Sequence, residues 1–437
     1  MTLSPLNSAA DPQPSARLRG SARGKANADL GSMRARRLAV PAITLLTAAM
    51  FTNSIIYILG ASRAWMLVLE YVIWLLSGLF LRAYFRRSAP SIRHRTQVRS
   101  GMIVFVTALV LSTLCIWIAG VRTDLDRLLP QIGALIYMTL PFFIFDRVAK
   151  AADMERIVLL TCHVILALCI TSIIGDFLAI TDFEHGAGRY FGFLGDPVAW
   201  ALTLPFLVYF SSNRFMLAAL AGFGLALTGS RAPAICIIAA LLLLIAFSRG
   251  RRTKYFVTLG LLLALAAYES DIFQTLAARI GSTSISANDR LGTAILGIKI
   301  FKRSPYFGMG YDSFSHLFSR RLTSNMQDVL FAQTSTFVQM LSDGGLILFL
   351  GYLAFVIATS IAAIALMKRS KSVVDSGIIN GLSAWLIAIL WVNQSATWFI
   401  VGSYFGPLVF GMAGILSGYY ARLLLVRAHE RALASAR

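Results

Sequence analysis

The sequence predicts an all-α, polytopic integral membrane protein with about twelve transmembrane helices and one long external loop that contains short helices. Three observations carry that expectation. The 437 residues are 57% hydrophobic and only 14% charged, and the mean hydropathy is +0.71, a composition typical of membrane chains rather than soluble multidomain ones. Apolar runs close to the roughly 20 residues that cross a bilayer recur along most of the chain. Finally, lysine and arginine collect in alternate connections between those runs.

The elements follow in order. Residues 1–38 are basic and rich in Ser, Ala and Pro, without an apolar core, so they read as a disordered cytoplasmic tail and not as a cleavable signal peptide. Transmembrane helices 1–9 fill 39–268, at 39–60, 64–84, 100–120, 128–146, 157–180, 196–211, 214–229, 232–248 and 254–268. A long polar loop occupies 269–336. Helices 10–12 fill 337–426, at 337–367, 376–399 and 402–425, and 427–437 reads as a C-terminal cytoplasmic tail. The tenth run is long enough to be tilted or to begin in the loop.

Charge orients these spans. A net charge of +20 would suggest nucleic acid in a soluble protein. Here the basic residues line one set of loops, so no nucleic-acid partner is expected. With the N-terminus inside, 28 of the 40 lysines and arginines fall on the cytoplasmic side. Seven of the other twelve lie in the 269–336 loop, which is long enough to escape the rule for short loops. Both termini are expected in the cytoplasm and the long loop outside, where ATP and nucleotide sugars are not available. Any substrate there arrives already activated.

Few motifs suggest a cofactor. Cys115, Cys162, Cys169 and Cys236 all sit inside apolar runs and read as small core residues. No His/Cys cluster, Walker loop or Rossmann glycine motif occurs, so neither a metal nor another cofactor is expected. Three external arginines are more informative. Arg231 follows an apolar run in Thr228-Gly229-Ser230-Arg231. Arg189 lies in the Gly-rich turn Gly186-Ala187-Gly188-Arg189-Tyr190-Phe191-Gly192. Arg290 lies in Asn288-Asp289-Arg290-Leu291-Gly292 of the loop. A guanidinium binds phosphate through a planar fork and does not deprotonate, and charge near membrane depth usually marks a site. Snorkelling to headgroups is the ordinary alternative and is preferred for Arg63 and Arg122. For Arg231, in its small-residue turn, the functional reading is preferred.

These residues resemble a family. Gly188-Arg189, Gly192 and Asp196-Pro197 look like the Gly-Arg…Gly…Asn-Pro pattern of bacterial O-antigen ligases and polymerases. Thr228-Gly229-Ser230-Arg231 resembles that family's Thr-x-Ser-Arg turn. Arg290, Ile300-Phe301 and Ser304-Pro305-Tyr306-Phe307-Gly308-Met309-Gly310 are similar to its arginine and Pro-Leu-Gly-x-Gly element. Thr336-Phe337-Val338-Gln339 through Asp343-Gly344-Gly345-Leu346 looks like the return of the loop into the membrane. The resemblance covers about residues 185–350. It departs at one place: Gln333-Thr334-Ser335 stands where ligases carry a His-Asn pair.

The resemblance implies sugars carried on a polyprenyl pyrophosphate at the periplasmic face of a bacterial inner membrane. It makes Arg189, Arg231 and Arg290 candidates for a clamp on the leaving diphosphate. Tyr190, Tyr306, Phe307 and Tyr311 would stack on sugar rings, or serve as interfacial belt aromatics. Asp196, Gly308, Gly310, Gln333 and Thr334 join them as substrate-binding candidates. Asp196, Asp312 and Asp343 are the external carboxylates open to a general-base role, although turn and cap chemistry beside glycine is preferred for the last two. Gly308 and Gly310 read as a tight turn closing the loop over the membrane.

The missing histidine tilts the expectation toward a polymerase of O-antigen or exopolysaccharide units, with a ligase acting on lipid A-core next. Membrane lipids, a chain-length regulator and a flippase complete the expected partners. A transporter of the lipid-linked unit is the rival from another class. Transporters show internal repeats and midplane charges, and this chain shows neither clearly.

Overall fold

The computed structural model describes residues 96–119, 138–147, 149–150, 154–178, 197–228, 230–247, 284–310, 336–373, 377–392 and 405–435. The spans expected at 39–60, 64–84 and 254–268 lie outside them. Among the described residues every regular element is helical. They are α1 (Gln97–Ile118), α2 (138–147), α3 (Glu155–Phe177), α4 (Pro197–Ser211), α5 (Phe215–Thr228), α6 (Arg231–Phe247), α7 (Ser284–Arg303), α8 (Thr336–Val373), α9 (Gly377–Val392) and α10 (Phe405–Ser435). Four of them, α1, α3, α8 and α10, are long and apolar enough to cross a membrane, and α4, α5, α6 and α9 are shorter apolar helices. This is a helical membrane protein.

Burial sorts the helices into an inner and an outer set. Every residue of α9 from Ile378 to Leu390 is buried, and so is every residue of α10 from Phe405 to Ala421. A helix enclosed all round belongs at the centre of a bundle. The outer set shows apolar side chains to the surroundings: Val104, Leu111 and Ile118 on α1, Met216 and Phe223 on α5, Ile235 and Leu242 on α6. Such exposure suits lipid, which solvates apolar side chains but no open backbone group.

Because lipid does not drive helices together, close packing does. α1 and α8 run antiparallel with small residues at the seam. A Cβ on Gly101 would lie 3.0 Å from the Phe355 Cα, and one on Gly351 would lie 2.8 Å from the Ala108 Cβ. α2 and α10 run parallel, with Gly411, Gly414 and Gly418 facing Phe145, Phe142 and Ala149 in turn. α4 and α9 run antiparallel. Ser211 Oγ donates to the Gly377 carbonyl at 2.7 Å, and Trp385 Nε1 donates to Thr203 Oγ1 at 2.7 Å.

One ionic cluster ties three helices. Asp146, buried at the end of α2, accepts from Lys150 Nζ at 2.8 Å and Ser417 Oγ at 2.7 Å. Arg99 Nη1 lies 3.6 Å away. Thr96 Oγ1 is 2.7 Å from Ser417 Oγ and also caps α1 by accepting from the Arg99 N–H at 3.1 Å. Ser417→Ala removes one donor from a buried carboxylate. It is expected to cost about 2 kcal/mol, read as a lower midpoint in thermal unfolding of the detergent-solubilised protein; an unchanged midpoint would make that hydroxyl dispensable.

α10 continues as helix through Ser435. No Gly or Pro follows Gly418, and Ala, Leu and Arg are strong helix formers.

Candidate functional site

The site is built where α7 meets α8. After Arg303 the chain turns through Ser304–Phe307, and the Gly308 N–H donates to the Ser304 carbonyl at 2.9 Å. Gly308 sits at φ +71° and Gly310 at φ +102°. On the other side, Gly345 within α8 sits at φ +65°. Residues with a side chain rarely adopt this left-handed region, and glycine there is the usual end of a helix.

The two glycine turns grip each other. The Met309 N–H donates to Ser342 O at 3.0 Å and the Gly310 N–H to Asp343 O at 2.9 Å. In return the Leu346 N–H donates to Pro305 O at 2.8 Å and the Ile347 N–H to Tyr306 O at 3.3 Å. These are two matched pairs: Pro305–Gly310 answers Ser342–Ile347 residue for residue, by an approximate two-fold. Carbonyls that a helix C-terminus would leave without partners are satisfied by the opposite segment. The two negative helix ends converge here, and Lys302 and Arg303 in the last turn of α7 offset them.

The break at Gly345 reverses the chain. In an unbroken helix Phe337 and Tyr352 would be about 22 Å apart along the axis. Their ring centroids are 5.8 Å apart, and Phe337 lies 6.1 Å from Phe349 and 6.3 Å from Trp391 of α9. Residues 336–343 therefore form a short arm folded back against the long part of α8. The tenth run therefore opens as a helical hairpin with its apex at the glycine clasp.

The arm is polar where it is enclosed. Thr336, Gln339, Ser342 and Asp343 are all buried. Ser342 Oγ donates to the Gln339 carbonyl at 3.1 Å, and Gln339 Oε1 has no hydrogen-bond partner among the described residues. Buried polar groups within an apolar bundle are costly unless they serve a ligand, water or one another.

Of the residues expected to form the site, the structure brings Gly308 and Gly310 against the backbone of Asp343, and Tyr306 against that of Gly345 and Ile347. The Tyr306 side chain is 65% exposed, which leaves its ring open for stacking. Arg231 is the first residue of α6 and Arg290 lies in the second turn of α7; their side chains lie outside what is described. Both helices pack against α8. Arg189, Tyr190, Asp196, Tyr311, Asp312, Gln333 and Thr334 lie outside the described residues. No group of three or more His, Cys, Asp or Glu able to hold a metal occurs among the described residues.

Reading the sequence alone missed the arm and its polar set. The available signal was polar residues at 336, 339 and 343, one helical face at the head of an apolar run. It also missed the correspondence of Gly308 with Gly345, which no spacing announces.

Residues 216–353 match the family model described as O-antigen ligase, which bears out the resemblance seen in the motifs. The matched stretch takes in α5, α6, α7, both halves of the clasp and the folded arm. No curated protein matches the chain.

Proposed function

We propose that the protein is a membrane glycosyltransferase that polymerises polyprenyl-pyrophosphate-linked oligosaccharide units at the periplasmic face of the inner membrane. The family match supports the coarser statement, a ligase- or polymerase-like enzyme acting on a lipid-linked glycan. One observation carries the finer one: the matched stretch holds Arg231, Arg290 and a loop clasped to a buried polar arm at the head of a membrane helix.

In this reading an acceptor hydroxyl oxygen attacks the anomeric carbon of the lipid-linked sugar. The bond from that carbon to the pyrophosphate oxygen breaks, and the diphosphate leaves with the electron pair. A single displacement inverts the anomeric centre. Arg189, Arg231 and Arg290 hold the developing negative charge. The proton of the hydroxyl passes to a carboxylate, with Asp196, Asp312 and Asp343 as candidates, or to water. Tyr190, Tyr306 and Tyr311 stack on the sugars, while Gln333 and Thr334 contact them. The chain-length regulator and flippase partners rest on the resemblance alone.

Polymerase is preferred to ligase because Thr334-Ser335 occupies the place of the ligase histidine, and neither hydroxyl is a competent base near neutral pH. Deleting the protein is expected to leave single lipid-linked units and remove long chains. Long chains stranded on the carrier lipid would identify a ligase instead.

The proposed topology has twelve spans, both termini inside and residues 269–336 outside. Reporter fusions after Ser284 or Tyr311 are expected to be external, and fusions after Arg251 or Lys371 cytoplasmic. A cytoplasmic loop would end the lipid-pyrophosphate reading.

A further inference from the structure

The two sides of α7 differ in kind. Gly297 and Ile300 are buried on one side of the helix, and α8 is the main packing partner of α7 among the described elements. Ile295 and Ile298 are 46% and 44% exposed, and Lys299, Lys302 and Arg303 are exposed as well. At 3.6 residues per turn these five side chains share an arc of about 140°, opposite Gly297 and Ile300.

Charge and position both indicate what covers that face. From Ala294 to Arg303 the chain carries three cations and no acid, whereas a helix face meant for water usually mixes both signs. Through Pro305–Gly310 the helix is fastened to the apex of the hairpin that opens α8, and α8 is long and apolar enough to cross a membrane. The exposed face is therefore held at the head of a membrane helix. Isoleucine beside a row of cations is the pattern of a helix lying in the plane of lipid headgroups.

We propose that the outer face of α7 docks on the leaflet beside the clasp. Ile295 and Ile298 enter the upper acyl region, and Lys299, Lys302 and Arg303 meet the phosphates of anionic phospholipids. Long basic side chains reach outward from an apolar depth to the headgroup, and the guanidinium fork fits two phosphate oxygens. A soluble polyanion would answer the cations and leave both isoleucines in water. An anionic lipid surface answers both groups at once. The inference stands apart from the proposed reaction and holds for whichever leaflet the clasp adjoins.

The test places the full-length protein in nanodiscs of acyl-brominated phosphatidylcholine, alone or mixed with acyl-brominated phosphatidylglycerol. An environment-sensitive fluorophore is attached at Ile298→Cys in a Cys115→Ser background, the other three cysteines being buried. Bromine quenches only a probe that meets the acyl chains. Quenching is expected in both discs and is stronger with phosphatidylglycerol. A basic residue at a membrane surface contributes about fivefold, so the three together shift the docked-to-undocked ratio roughly a hundredfold. Lys299→Gln, Lys302→Gln and Arg303→Gln combined are expected to reduce the quenching to its phosphatidylcholine level, while Lys299→Arg with Lys302→Arg preserves it. The comparison of the two lipids needs no charge substitution, so it decides even if the Gln variant misfolds. An unquenched probe, equal quenching in the two lipids, or unchanged quenching in the folded Gln variant would each overturn the proposal.

Discussion

Gly345→Ala is expected to abolish polysaccharide synthesis, and Gly308→Ala to do the same, though neither residue is assigned a chemical role. A Cβ on Gly345 would collide with the Tyr306 backbone, and one on Gly308 with the Asp343 backbone. Both glycines also hold left-handed φ values, which cost another residue roughly 1–2 kcal/mol. Either substitution forces the turns apart and endangers four backbone hydrogen bonds worth about 1 kcal/mol each. The total, about 5 kcal/mol, exceeds what a local structure usually withstands. The readout is polymer length on gels together with limited proteolysis of the loop, which should become cleavable between Arg303 and Thr336. Full-length polymer from both variants would mean that the clasp does not organise the site.

Arg231→Ala and Arg290→Ala are each expected to lower transfer about a hundredfold, roughly 3 kcal/mol, while protein still accumulates in the membrane. The physical reason is a fixed counter-charge lost from a departing diphosphate. Lysine at either position is expected to restore activity only partly, because it offers a point charge in place of a planar fork. Arg189→Ala follows with a smaller effect, since its Gly-rich turn also suits a headgroup anchor. Near-normal polymer from both Arg231 and Arg290 variants would remove the clamp from the mechanism.

Much of the fold is legible in the residues. Apolar runs at 196–211, 214–229 and 232–248 correspond to α4, α5 and α6 within a few positions, because a helix must satisfy its own backbone in lipid and the composition admits little else. Thr96 is a cap that the sequence could have shown, lying just before an apolar run. The ionic cluster was not legible: Asp146 and Lys150 are an ordinary i, i+4 pair, and only packing brings Ser417 and Arg99 to them. The site divides in the same way. Its motifs are local and were visible in order along the chain. The fold-back of residues 336–343 was not, since an uninterrupted apolar helix and a hairpin have the same composition. What separates them is a single left-handed glycine and its distant partner.

The clasp also makes α7 a lever. Its 20 residues give a rod about 30 Å long, fastened at one end to the top of a membrane helix. Helices tilt to match their apolar length to the bilayer they occupy. A change of 10° in α8, passed rigidly through the joint, would carry the far end of α7 through about 5 Å. Arg290 lies about 20 Å along the rod from the joint and would move about 3 Å. In the proposed reaction, bilayer thickness would thereby reach the arginine, set by the lipids and acyl-chain lengths around the protein and passed on through a joint of two glycines.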